Sequence, residues 1–197
     1  MRTIRLVVEY DGTAYCGWQV QPNGPSVQAA LEEAIQAVTG AAARLRAASR
    51  TDSGVHARGQ VAVFQTDHAM PAERFALALN SRLPDDIAVR ASAEAGADFD
   101  PRRHAVRKCY AYQIINSPIR PALDRWRVWH VKQPLDAAAM QAAASRLAGT
   151  HDFTSFANQE CNQEGADNIR TIDRSALQAQ GERLRYEIEG RSFLYNM

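Results

Sequence analysis

Ile4-Arg5-Leu6-Val7-Val8-Glu9-Tyr10, followed by Asp11-Gly12-Thr13, sets the fold class near the start of the chain. Ile4, Leu6, Val8 and Tyr10 alternate with Arg5, Val7 and Glu9, which is the two-residue period of a half-buried strand. Asp-Gly-Thr then breaks the strand. Next comes a helical pattern. Ser26, after Pro25, is placed to cap it; Val27, Leu31, Ala34, Ile35 and Val38 fall on one face, and Gly40 stops it. Working outward, the pattern predicts strands over 44–48, around Val61 and Val63, and over 87–91. A helix with Phe75, Leu79 and Leu83 at four-residue spacing precedes the last of these and ends at Pro84.

A second set of elements starts near Lys108. Tyr110, Tyr112 and Ile114 alternate along one expected strand, and 126–131 forms another. Asp136 caps an Ala-rich helix running through Leu147 to a stop at Gly149, with two more strands at 172–177 and 184–188. Runs of strands interleaved with few helices read as α+β: two similar halves, each a mostly antiparallel sheet with helices on one face. The expected domains are 1–104 and 105–197, a division that suits 197 residues of which 46% are hydrophobic and 23% charged.

The formal net charge is only +1, so the total gives no argument for a polyanionic partner. Its make-up says more. Of 23 basic residues only Lys108 and Lys132 are lysines, and the planar arginine fork suits phosphate and stacks on bases. A GC-rich genome would give the same bias. Over 101–130, however, Arg102, Arg103, Arg107, Lys108, Arg120, Arg125 and Arg127 face one acid, Asp124. That local excess reads as a phosphate-tracking surface, or else as a solvated basic face. Cys16, Cys109 and Cys161 are scattered, with neither disulfide nor metal spacing. No apolar run reaches the ~20 residues of a membrane span, and the first ten residues do not read as a signal peptide. A cytoplasmic protein with no membrane association is the expectation. The apolar ending, Arg191-Ser192-Phe193-Leu194-Tyr195-Asn196-Met197, reads as a chain cut short or an end packed on something else.

One carboxylate stands out. In Ser49-Arg50-Thr51-Asp52-Ser53-Gly54-Val55-His56-Ala57, Asp52 lies at a Ser-Gly turn with Arg50 two residues away, on the same side of an extended segment. Pairing with Arg50 would hold Asp52 ionised and poised for electrostatic or nucleophilic work; an ordinary turn cap or salt bridge fits the same residues. His56 reads as structural, and His68, His104, His130 and His151 show no ligand spacing, so no metal is expected. Phosphate-binding loops, dinucleotide-binding glycine patterns and the Gly-x-Ser-x-Gly elbow do not occur, and no cofactor is expected. Tyr110 and Tyr112, on one strand face beside the basic run, suit base stacking; core packing fits them too. Trp18, Trp126 and Trp129 read as packing residues.

Five blocks, in order along nearly the whole chain, carry a resemblance. Tyr10-Asp11-Gly12-Thr13-Ala14-Tyr15-Cys16-Gly17-Trp18-Gln19 resembles the opening signature of the TruA family of transfer RNA pseudouridine synthases. The 50–57 block resembles that family's catalytic loop, and Lys108-Cys109-Tyr110-Ala111-Tyr112 its tyrosine-bearing strand. Gly149-Thr150-His151-Asp152-Phe153-Thr154-Ser155-Phe156 and Phe193-Leu194-Tyr195-Asn196-Met197 are similar to two further blocks. The chain departs from the family at Ser49, where Gly is usual, at Ser53, where Ala is frequent, and at Cys109, where Arg is common. The family also continues past the last block with a Val-Arg pair and further elements.

The resemblance implies the pseudouridine synthase fold, with a catalytic cleft between the halves. It implies isomerisation of uridine to pseudouridine in the anticodon stem-loop of transfer RNA, by a homodimer and without a cofactor. Asp52 would be the essential carboxylate and Arg50 its partner; Tyr110 would stack on the uracil, and Arg58, Arg102 and Lys108 would join it in binding substrate. Two other readings stay open: a sheet-based RNA-binding module without catalysis, and a hydrolase that releases free uracil.

Overall fold

The computed structural model describes residues 1–157, 167–194 and 197. Cys161, and Tyr195 and Asn196 of the terminal block, lie outside the described residues. Contacts divide the chain into two units, Met1–Ala105 and Val106–Met197.

The N-terminal unit is a four-stranded sheet. Its strands are β1 (Arg2–Tyr10), β2 (Arg46–Ala47), β3 (Ala57–Thr66) and β4 (Ile87–Ala95), in the order β2-β3-β1-β4 with every pairing antiparallel. The alternation of β1 sets the core: Ile4, Leu6 and Val8 are fully buried, with Phe64 opposite Ile4 and Ala62 opposite Leu6. Two helices cover this face. In α1 (Val27–Thr39), Ser26 Oγ accepts the Ala29 N–H at 3.2 Å, and Gly40 ends the helix at φ 74°. Only a residue without a Cβ takes that left-handed conformation readily. Val27, Leu31, Ala34 and Ile35 of α1 join Phe75 and Leu79 of α2 (Phe75–Asn80) in one cluster with β1 and β3.

α2 is shorter than its spacing predicts. A 3₁₀ turn over Ala72–Arg74 leads into it, and Leu83 lies beyond its end, its amide still bonded to the Leu79 carbonyl at 3.0 Å. Apolar residues four apart do not separate one long helix from a short helix framed by turns.

The C-terminal unit holds β5 (Lys108–Asn116), β6 (Trp129–Val131), α3 (Ala137–Ser145), β7 (Gly149–Asp152), β8 (Ile169–Gln180) and β9 (Arg183–Gly190). Its sheet order is β6-β5-β9-β8-β7, antiparallel except for β5 with β6. Asp136 caps α3 by accepting the Ala138 and Ala139 amides at 3.0 and 2.9 Å. The helix packs on β8, where Gln141 Oε1 takes the Leu177 amide. β6 begins later than expected, because the Arg127 N–H folds back onto the Asp124 carbonyl at 2.8 Å. Gly149, expected as a helix stop, opens β7 at φ 107°. Arg191 to Leu194 form neither strand nor helix.

Candidate active site

Asp52 sits on the loop between β2 and β3, at the start of a turn closed by the Val55 N–H on the Asp52 carbonyl at 3.2 Å. Gly54 makes the turn possible with φ 78°. The Asp52 side chain is exposed, yet the backbone that carries it is fastened all round. The Thr51 carbonyl accepts the Trp18 N–H at 3.0 Å, and Thr51 Oγ1 shares a hydrogen with the Tyr10 hydroxyl at 2.7 Å. The Tyr15 carbonyl takes both the Gly54 N–H at 3.3 Å and the Ser53 hydroxyl at 3.2 Å. On the far side Gln60 Nε2 donates to the Ser49 carbonyl at 2.7 Å.

Nearly all these partners come from 10–18, the stretch that ends β1 and leads towards α1. Two of its glycines are there for closeness. A Cβ on Gly12 would stand 2.1 Å from the Val55 carbonyl oxygen. On Gly17, where φ is 102°, it would stand 2.6 Å from the Thr51 carbonyl oxygen. The opening segment and the Asp52 loop therefore touch backbone to backbone. Tyr10 and Trp18 lie in the core with ring centroids 5.9 Å apart, tying this contact to the buried face of the sheet. Tyr15 completes the frame by donating its hydroxyl to Asp86 at 2.7 Å; burial, then that bond and the Asp86 charge, push the phenol far up, so it remains a donor.

Other expected site residues are placed as follows. Arg50 is exposed and, among the described residues, makes no ion pair within 4.0 Å with Asp52. This corrects the expected bridge: the loop is positioned by backbone and hydroxyl bonds, and the guanidinium is not its fastening. Arg58 is exposed on β3. Arg102 lies in a tight turn in which Asp100 Oδ1 accepts the Arg102 and Arg103 amides at 2.8 and 3.1 Å. The Arg103 and then the Arg102 bond hold the Asp100 carboxyl below its ordinary value. Lys108 opens β5, and Tyr110, half-buried on that strand, meets Phe193 edge-on at 5.0 Å. Tyr112 is more than half exposed, facing Tyr186 across the ladder. Trp18 is the packing residue expected; Trp126 and Trp129 are not, each being 63% exposed. No cluster of three or more metal-ligating side chains occurs among the described residues.

The class is thus an α+β protein with two mostly antiparallel sheets and an exposed carboxylate on a backbone-clamped loop. The family model described as tRNA pseudouridine synthase matches residues 6–102 and 143–197. Arg50, Asp52, Arg58 and Arg102 fall within the matched spans, and Lys108 and Tyr110 outside them. Over 197 residues the chain is 47% identical to tRNA pseudouridine synthase A of Pelobacter propionicus, covering 100% of this chain and 80% of the relative. It is 46% identical to the protein of that name from Acetivibrio thermocellus, with the same coverage. For the one from Myxococcus xanthus the figure is 42% over 198 residues, covering 100% and 74%. The chain belongs to the tRNA pseudouridine synthase family.

Proposed function

We propose that this isomerase converts uridine to pseudouridine in the anticodon arm of transfer RNA, with Asp52 as its essential carboxylate. Family membership supports the reaction and its substrate class; the clamped, exposed Asp52 is the observation that carries the assignment of the residue.

The chemistry balances within the substrate. The N1–C1′ bond breaks, the uracil turns over while bound, and a C5–C1′ bond forms; the C5 proton leaves and N1 gains one. Nothing is oxidised and no group is transferred to water. Glycosidases commonly need two carboxylates, one to activate water and one to protonate the leaving oxygen. A base that is retained and rejoined requires no water nucleophile, so one carboxylate suffices. Its placement then matters most, because reacting atoms must stay within near-attack distance through a rotation of the base. A loop pinned by hydrogen bonds on both sides of Asp52 supports that role.

Arg50, exposed beside Asp52, is proposed to act on the flipped nucleotide and the carboxylate once RNA is bound. Tyr110 is proposed to stack on the uracil; Arg58, Arg102 and Lys108, with the basic stretch 101–127, to bind the backbone, a contact that weakens with salt. Domains 1–104 and 105–197, a homodimer and a cytoplasmic location belong to the same reading. The contact division at Ala105 supports the boundary, and likeness to the family supports the rest.

Tritium release from C5-labelled uridine in a transfer RNA transcript tests this. The parent chain is expected to release label and Asp52→Asn none, with RNA affinity and thermal midpoint retained. Release by a folded Asp52→Asn overturns the assignment, and free uracil among the products points to a hydrolase.

A further inference from the structure

His56 follows Asp52 by four residues, and its ring does work that the catalytic reading leaves unexplained. The Gly12 N–H donates to His56 Nδ1 at 3.1 Å. Gly12 is also the residue that leaves no room for a Cβ beside the Val55 carbonyl, and the Val55 N–H closes the turn on Asp52. The contacts form a closed circuit: the ring holds the Gly12 amide, Gly12 abuts Val55, and Val55 fixes Asp52 through the backbone. His56 sits next to Val55, so the circuit returns to its start within one residue.

The same Nδ1 lies 3.0 Å from Asp11 Oδ1. One ring nitrogen cannot accept from an amide and donate to a carboxylate at once. The Gly12 hydrogen is fixed by the backbone, whereas Asp11 Oδ1 already takes the Thr13 amide at 3.1 Å and the Thr13 hydroxyl at 2.6 Å. A proton on Nδ1 would set two hydrogens against each other. In its contact with the backbone, Nδ1 is the acceptor of the Gly12 hydrogen.

We propose that His56 is a positioning residue: as an Nδ1 acceptor it holds the Gly12 amide, and through Gly12 and Val55 it sets where Asp52 stands. The proposal rests on the reading of Asp52 as the essential carboxylate. It asks for an acceptor at one point in space, not for a charge or a metal ligand.

Three variants of the full chain, His56→Leu, His56→Asn and Asp52→Asn, decide it, with single-turnover tritium release, transfer RNA affinity and thermal midpoint measured for each. His56→Leu fills the space without an acceptor. In His56→Asn the amide oxygen falls near the position of Nδ1 and can take the Gly12 hydrogen. The expected result is a single-turnover rate lowered by about 10- to 100-fold in His56→Leu with RNA affinity unchanged, and largely restored in His56→Asn. A role in stability alone would lower the midpoint and leave the rate of the folded protein untouched. His56→Leu at the parent rate, beside an inactive Asp52→Asn, overturns the role of His56 and leaves Asp52 standing. Turnover by Asp52→Asn overturns the Asp52 reading itself. Should His56→Leu fail to fold, His56→Asn decides alone: the parent rate is expected, and a folded but slow variant overturns the proposal.

Discussion

The two sheets are built from strands of similar length, but they bury themselves by different means. In the N-terminal unit the core runs without interruption from Ile4 to Val89, with α1 and α2 on one face and Ile4, Leu6, Val8, Leu31, Ile35, Phe75 and Leu79 shut off from solvent. Among the described residues of the C-terminal unit the buried apolar side chains are few: Ile114, Ile115, Ala144, Phe153, Ile172 and Leu184. Ile119, Leu123, Trp126 and Trp129 of that unit are 79%, 96%, 63% and 63% exposed. On β9, Arg183, Arg185, Glu187 and Glu189 recur at the two-residue spacing that puts them on one face, where Arg174 of β8 and Arg107 pair with the acids. Apolar burial needs no salt or proton to persist, whereas partly exposed ion pairs respond to both. Asp52, the carboxylate proposed as essential, is mounted on the first kind of platform.

The sharpest way to break this contrast is to hollow out each side. Phe75 is fully buried and meets Phe64 edge-on with centroids 5.5 Å apart. Phe75→Ala is expected to cost about 3–5 kcal/mol, the combined loss of transfer energy and a cavity that the surrounding sheet and helices cannot fully close. Leu123→Ala, at a residue 96% exposed, is expected to stay within about 0.5 kcal/mol. Urea unfolding of both variants checks this. Similar losses at the two sites would mean that Leu123 is covered in the protein as it exists in solution.

The same contrast explains what was legible in the sequence. Alternation along β1 and the Ser26 and Gly40 caps are local signals backed by burial, and both read correctly. β7 carried no such signal, because Gly149, Thr150, His151 and Asp152 are all exposed and have no apolar face to alternate. The turn at Asp52 was visible as Ser-Gly, but its fastening was not. Gly12 meets His56 across 44 residues, and Tyr10 meets Thr51 across 41, distances over which a pattern of neighbours says nothing. Arg50 and Asp52, two residues apart, suggested an ion pair from spacing alone. Among the described residues that pair is not made, and the contacts that fasten the loop come instead from the opening segment.

A smaller effect sharpens the comparison at the helices. Ser26 caps α1 with one bond and Asp136 caps α3 with two, and replacing either with Ala is expected to cost about 1 kcal/mol. The consequences differ in place. α1 buries Val27, Leu31, Ala34 and Ile35, so its first turn stays docked when the cap goes. α3 buries only Ala144, and its first turn has little but the cap to hold it. Amide exchange is expected to quicken at 138–140 in Asp136→Ala far more than at 29–31 in Ser26→Ala. Equal quickening would show that docking of α1 contributes less than its burial implies.

The smallest expected effect lies in the charged face of the C-terminal sheet. Glu187 accepts from Arg185 Nε at 2.8 Å, with Arg174 at 3.5 Å. The Arg185 hydrogen bond, ahead of the charges of Arg185 and Arg174, holds its carboxyl below the ordinary value. A carboxyl lowered on folding adds stability that is present above its unfolded value and is lost as pH falls through the folded one. Between neutral pH and about pH 3, Glu187→Gln should therefore lose less of its urea midpoint than the parent does. At pH 7 the variant itself should fall by no more than about 1 kcal/mol, because Arg174 and Arg185 are both partly open to water. Raising salt should shrink the gap between parent and variant, while leaving the Phe75→Ala loss in place. If the gap persists at high salt, the arginine–glutamate contacts are held by shape and hydrogen bonding rather than by charge, and the two units differ less than their burial suggests.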